Sequence, residues 1–190
     1  MQRKILLDTN SYLRLGLPFH PLVMAEIPGE QGGLICILPN LKKEIARGVR
    51  LRNDFAWALE HDTRENRDRC IMRFSASQRA EIQRTFDFAL SYAQRTQNGA
   101  SYIDIHCLAV GFTLGIPVVT DDGDMMRLAA DFDIHVLSTI ELLKIMVDAG
   151  FCAMEKVRST IRYWIYVSDL PRNYRSDYRR VFGEEPPDSA

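Results

Sequence analysis

Pro117-Val-Val-Thr-Asp-Asp-Gly-Asp124 decides how this chain is read. A short apolar run ends in three carboxylates, Asp121, Asp122 and Asp124, beside Thr120 and Gly123. Acids this close repel one another, and they cost stability unless they are solvated or gathered round a cation. The carboxyl end of a strand is where open α/β sheets place ligand sites. The competing reading is a solvated turn leading into an acid-rich helix start, which the helix dipole favours.

Working outward, the neighbours of this stretch alternate between strand and helix. Residues 101–115 are apolar almost all round, which predicts a buried helix stopped by Gly115 and followed by a strand over Ile116–Val119. Downstream come a short helix from Met125 to Ala130, a strand over Ile134–Leu137, and a capping box, Ser138 to Glu141. That box opens a helix bearing Leu142, Leu143, Ile145 and Met146, closed by Gly150. Upstream, Ile5-Leu-Leu7 is a strand ending in Asp8. Thr9 or Asn10 then caps a short helix through Tyr12, Leu13 and Leu15. Prolines and glycines predict a loop from Gly16 to Gly33. Leu34–Leu38 is a buried strand, and Pro39-Asn40 starts a helix through Leu41, Glu44, Ile45 and Val49. Residues 51–76 form a charged helical segment broken around His61-Asp62-Thr63. A second capping box at Ser75 opens a helix with Ile82, Phe86, Ala89 and Ala93 on one face, stopped by Asn98-Gly99. Such alternation predicts a three-layer α/β/α domain with a central parallel sheet over residues 1–150.

Residues 151–190 lie beyond the last strand–helix unit. Phe151, Met154, Val157, Ile161 and Ile165 have helical spacing, which predicts an amphipathic helix packed on the body or on a partner, broken at Pro171. Arg172, Arg175, Arg179 and Arg180 then alternate with Tyr174, Tyr178 and Phe182. Arginines beside aromatics can hold phosphates and stack on bases; a solvated or subunit-contacting tail is the other reading.

The 190 residues, 46% of them apolar, suffice for one domain with a sizeable core. No apolar run approaches a membrane span, and the segment before Ile5 is too short for a signal peptide. Cys36, Cys70, Cys107 and Cys152 are far apart, as expected of reduced thiols in a cytoplasmic protein. A net charge of −1 hides an uneven distribution. Residues 85–154 are acidic, and the segments 42–84 and 155–182 are basic. An acidic middle with basic flanks suits a cation site serving a polyanion.

Four acids now matter, two of them at predicted strand ends. Asp8 follows the first strand, Glu44 lies on the helix after the second, Asp122 follows the third, and Asp104 is the odd residue on a helix face predicted to be buried. Each also has a purely structural reading. Asp8 could be an N-cap, Glu44 a surface partner of Lys43 or Arg47, and Asp104 the last residue of a Ser101-x-x-Asp104 box. An isolated buried carboxylate is costly, and one shared cation would relieve all four at once.

Leu-Leu-Asp8-Thr-Asn, Leu-Pro-Asn-Leu-Lys-Lys-Glu44-Ile, the Asp104-Ile-His-Cys-Leu-Ala helix and Val-Val-Thr-Asp-Asp122-Gly-Asp124, in that order over residues 3 to 146, resemble the PIN domain. This is the nuclease domain of many bacterial and archaeal toxins of toxin–antitoxin pairs. The resemblance implies Asp8, Glu44, Asp104 and Asp122 as catalytic acids, with Asp8, Asp104, Asp122 and Asp124 as metal-binding positions. It gives Thr9 and Thr120 as supporting hydroxyls, and leaves Asp121 as a surface neighbour. The chain departs from the family at Met125, where an aromatic is common, and in its charged middle segment and C-terminal extension.

All-oxygen ligands mean Mg²⁺ or Mn²⁺, which lower the pKa of a bound water and stabilise the leaving oxygen of a phosphodiester. The expected activity is metal-dependent hydrolysis of RNA by a toxin, with an antitoxin partner and a homodimer in prospect. The rival is a non-catalytic RNA- or protein-binding module keeping the same fold. His106, two positions from Asp104, faces elsewhere on its helix and reads as structural.

Overall fold

The computed structural model describes residues 3–19, 26–30, 32–40, 44 and 55–187. Its centre is a five-stranded sheet in the order β2-β3-β1-β4-β5, made of β1 (Lys4–Leu7), β2 (Glu26–Ile27), β3 (Gly33–Cys36), β4 (Val118–Val119) and β5 (Val136–Leu137). β1 runs parallel to both β3 and β4, pairing Ile5 with Ile35 and Leu6 with Val118. β4 is parallel to β5, and the edge strand β2 is antiparallel to β3.

Helices with both ends among the described residues are α1 (Thr9–Phe19), α2 (His61–Arg69), α3 (Ala76–Thr96), α4 (Tyr102–Leu114), α5 (Gly123–Asp131), α6 (Thr139–Asp148), α7 (Met154–Tyr166) and α8 (Tyr174–Phe182), with a short 3₁₀ turn at Ala56–Leu59.

Parallel strands covered on both faces need apolar residues on both, which is why they read as unbroken runs. Successive strand residues point to opposite sides. Ile5, Leu7, Ile35 and Val119 enter one core with Tyr12, Leu13, Leu142, Leu143, Val157, Ile161, Trp164 and Tyr178. Leu6, Cys36 and Val118 enter a second core with Ile82, Ala89, Ile105, Leu108, Met125 and Leu128. The result is a mixed α/β fold compatible with α/β/α layering. Gly111 lets α4 lie flat on the sheet, since a Cβ there would meet the Val118 side chain.

The C-terminal helices are built into the first core. Trp164 is fully buried, and its indole N–H donates to Arg14 O at 3.0 Å. The apolar stripe of α7 is thus spent inside its own chain and is not open to a second copy.

Several boundaries differ from expectation. Residues 16–19, expected in a loop, extend α1, and 26–27, in the same expected loop, form an edge strand. Packing of Leu15 and Phe19 in the first core outweighs the glycine and proline there. The expected break at 61–63 is instead a helix start, with Glu60 extended before it. Helix α3 ends at Gln97, which takes the left-handed conformation itself (φ 54°), one residue before Asn98-Gly99. Asn40 and Glu44 are helical, while the rest of the helix expected through Val49 lies outside the described residues, as do residues 51–54. Among the described residues no helix is long and apolar enough to cross a membrane.

Candidate functional site

β1 stands between β3 and β4, where the order of strands reverses, and a crevice opens outside its carboxyl end. Asp8 is the first residue past β1. Its backbone N–H donates to Val119 O at 3.1 Å, so it is fixed to the neighbouring strand. Its carboxylate is 5% exposed and accepts from Ser11 N (2.6 Å) and Thr120 Oγ1 (2.6 Å). Desolvation outweighs those hydrogen bonds and pushes its pKa up to about 6 from 3.8. The N-cap role is therefore real, but a neutral Ser or Asn would fill it without burying a charge.

Asp8, Thr9 and Asp104 line one small crevice with Leu7, Leu38, Ile103 and Cys107. Glu44 joins through Thr9, whose hydroxyl donates to Glu44 Oε2. Burial raises the Glu44 pKa, the Thr9 hydrogen bond opposes this, and the charge of Asp104 adds to it. Cys107, on the crevice floor, reports the same field. Burial lifts its pKa well above the ordinary value, and the charges of Asp8, Asp104 and Glu44 lift it further.

Asp104 is half-buried in the first turn of α4, less enclosed than its apolar helix suggested. Its Oδ2 accepts from Ser101 N (2.8 Å) and Ser101 Oγ accepts from Asp104 N (3.2 Å), so the capping box forms. That box occupies one carboxylate oxygen and aims the residue at the crevice.

Asp122 and Asp124 form an adjoining wall and do not line this crevice. Asp122 caps α5, accepting from Asp124 N and Met125 N, both at 2.9 Å. Asp124 pairs with Arg127. Asn98 Nδ2 donates to Asp124 O at 3.0 Å, which docks this turn to the start of α4. Thr120 ties the wall to the crevice, because its hydroxyl accepts from Asp122 N (3.1 Å) while donating to Asp8.

Asp121 is not the surface neighbour that the sequence suggested. Its side chain is 9% exposed and meets Arg14 at 2.6 Å, and it accepts from the Thr139 hydroxyl and from Thr139 N (2.9 Å). Burial raises its pKa despite these partners. Arg14 also donates to Asp169 Oδ1 (3.1 Å) and Asp169 O (3.2 Å), so one guanidinium joins α1, the β4 turn and the segment after α7. Sequence reasoning passed over Arg14; its one signal was a cation on a helix whose other residues near it are apolar. His106 has no hydrogen-bond partner for its buried Nδ1 among the described residues. It sits edge-on to Phe86, and burial lowers its pKa.

The donor chemistry suits a hard cation, all oxygen and negatively charged. The geometry supplies no compact inner shell: among the described residues no three Asp, Glu, His or Cys side chains converge closely enough to hold a metal ion. Magnesium commonly takes one or two carboxylates and keeps several waters, so Asp8 and Asp104 across one crevice fit that mode of binding. A separate apolar cavity of about 290 Å³ lies between α3, α4 and α5, beside the exposed Phe88 and Phe112. It contains no acid and is distinct from the crevice.

No family model and no curated protein sequence matches the chain. Among solved structures it is similar to one described as the crystal structure of FitAcB from Neisseria gonorrhoeae. The match covers 71% of this chain and 97% of that one, at 17% identity and a TM-score of 0.46. So remote a likeness assigns no activity, and the functional reading rests on this chain's own residues.

Proposed function

We propose that the chain is a Mg²⁺- or Mn²⁺-dependent endoribonuclease of the PIN type, serving as the toxin of a toxin–antitoxin pair. The observation that carries this is Asp8, a carboxylate buried at the carboxyl end of the central strand and sharing a crevice with Asp104, with Glu44 reached through Thr9. Fixing a charge there opposes folding, and capping alone does not require it. The motif resemblance supplies the reaction class.

In this reading Asp8 and Asp104 hold the ion with water, Glu44 accepts a proton from water or orients it, and Asp122 and Asp124 bound the site on the α5 side. Thr9 and Thr120 orient carboxylates by donating to Glu44 and Asp8. A bound divalent ion supplies positive charge to the phosphodiester and makes water more acidic. An antitoxin would find exposed apolar surface at Phe88 and Phe112, and a homodimer would need a face other than the covered stripe of α7.

The test is cleavage of RNA by chelator-treated protein with Mg²⁺ or Mn²⁺ restored. Asp8→Asn and Asp104→Asn should abolish it while leaving the fold intact. Undiminished cleavage in chelator overturns the proposal. A second reading, a binding module that keeps the fold without catalysis, draws on the absence of a compact three-acid cluster among the described residues. It expects salt-dependent RNA binding that acid-to-amide changes leave intact or tighten.

A further inference from the structure

The four arginines between 172 and 180 read in sequence as one basic, aromatic stripe, and the fold dismantles it. Tyr174 and Tyr178 are buried, so they are not free to stack on bases. Arg179 pairs with Glu185 (2.8 Å), and Arg180 pairs with Asp177 and Glu141 (both 2.9 Å). The Arg175 guanidinium stands over the Tyr174 ring, 5.2 Å from its centroid. Arg172 is exposed and has neither an ion pair nor a hydrogen-bond partner among the described residues.

Its position is nevertheless defined. Arg172 Nη1 lies 3.5 Å from the point where a Cβ on Gly123 would stand, and Arg127 Nη1 lies 3.6 Å from the same point. Two guanidinium groups therefore stand together on one side of Gly123, between Asp122 and Asp124 at the amino end of α5. The backbone carrying Arg172 is held on both sides. Asp169 is bonded to Arg14, Pro171 is buried, and Tyr174 N donates to Pro171 O at 3.1 Å. Arg127 is engaged by Asp124, whereas the charge of Arg172 is not spent on any neighbour among the described residues.

A guanidinium is charged at every working pH, and its planar fork matches a phosphate. We infer that Arg172 holds a backbone phosphate of single-stranded RNA beside the acidic crevice, so that residues 151–187 form part of the substrate-binding surface. This rests on the ribonuclease reading and adds to it a substrate contact supplied by the C-terminal extension. The contact is to phosphate, so it carries no base preference.

The experiment is a salt titration of RNA binding, read by fluorescence anisotropy with a short labelled single-stranded RNA in an Asp8→Asn background that prevents cleavage. Adding Arg172→Ala should make the slope of log K against log salt shallower by about 0.7, the share of one single-strand phosphate contact. Between about 50 and 200 mM salt the background chain should then lose roughly 2.6-fold more affinity than the Arg172→Ala chain. Arg172→Lys should restore most of the slope. Arg162→Ala, an equal charge change on the exposed side of α7, should leave it unaltered and so exclude a net-charge effect. An unchanged slope in Arg172→Ala, with the background chain binding RNA, overturns this inference and leaves the ribonuclease reading standing. A background chain that binds no RNA at any salt overturns both.

Discussion

Replacing Asp8 by Asn should stabilise the protein at neutral pH while abolishing its activity. The Asp8 pKa is pushed from 3.8 to about 6 by burial, so between those values the folded chain holds a proton that the unfolded chain has released. Stability is therefore fully present below pH 3.8 and is lost as pH rises through 6. About 2.2 pH units at 1.36 kcal/mol each make that loss roughly 3 kcal/mol. Asn stays neutral throughout. Its carbonyl can accept from Ser11 N as Asp8 does at 2.6 Å, and its amide can donate to Thr120 Oγ1, whose proton can turn to Met125 Sδ, now 3.3 Å away. The shift is already net of the hydrogen bonds to the charged form, but turning the Thr120 hydroxyl from a carboxyl oxygen to Met125 Sδ, a weaker acceptor, gives back about 1 kcal/mol. A net gain of about 2 kcal/mol should then raise Tm by roughly 4–8 °C at about pH 7.5 and vanish near pH 4. Urea denaturation of both chains at the two pH values measures this directly. A variant less stable at the higher pH, or a gain of equal size at the lower, would refute the argument that Asp8 is a charge held against the interest of the fold. Mg²⁺ should raise the stability of the parent chain and not of the variant, as binding to the folded state alone requires.

Asp104→Asn and Glu44→Gln should each lower metal-dependent cleavage by about a hundredfold or more, with Tm within a few degrees of the parent. The side-chain carbonyl introduced by Asp104→Asn keeps the acceptor for Ser101 N, and Glu44 is only half-buried. Asp121→Ala should cost about 3 kcal/mol, because Arg14, with its side chain 10% exposed, loses its closest counter-charge. The Arg14→Met/Asp121→Leu pair should recover much of that, and urea midpoints would show whether it does. Gly111→Ala should lower stability by roughly 1–3 kcal/mol through the clash with Val118 and reduce cleavage by shifting α4, which carries Asp104; unchanged values in both assays would mean that the sheet relaxes around the added methyl.

Where local chemistry decides structure, the sequence could be read closely. The boxes at Ser75, Ser101 and Ser138 form, and Gly115 ends α4 in the left-handed conformation. The apolar runs at 5–7, 34–36 and 118–119 become parallel neighbours, so Asp8 and Asp122 follow their strands at the same end of the sheet. Long-range pairing was illegible. Asp121 looks as exposed as Asp122 in sequence, and only its meeting with Arg14, 107 positions away, makes it structural. The dipeptide Glu26-Ile27 has no period to detect and is a strand only because the β3 edge is there to pair with it. The alternation of Arg with aromatic residues after Pro171 left open a nucleic-acid surface or a solvated or subunit-contacting tail. The fold turns Tyr174 and Tyr178 inward instead and leaves Arg172 exposed beside Gly123, with Arg127 next to it.

The Arg14 junction bears on how the chain is made. Its two carboxylate partners lie 107 and 155 positions downstream, so both contacts close very long loops, and the junction is complete only after Asp169 has been made. A ribosome translates Asp8, Glu44, Asp104 and Asp122 before Asp169, the last partner in that junction, exists. A nascent chain thus carries all four of these acids before the Arg14 junction is complete. Closing that junction is therefore a late step, whatever order the rest of the fold takes.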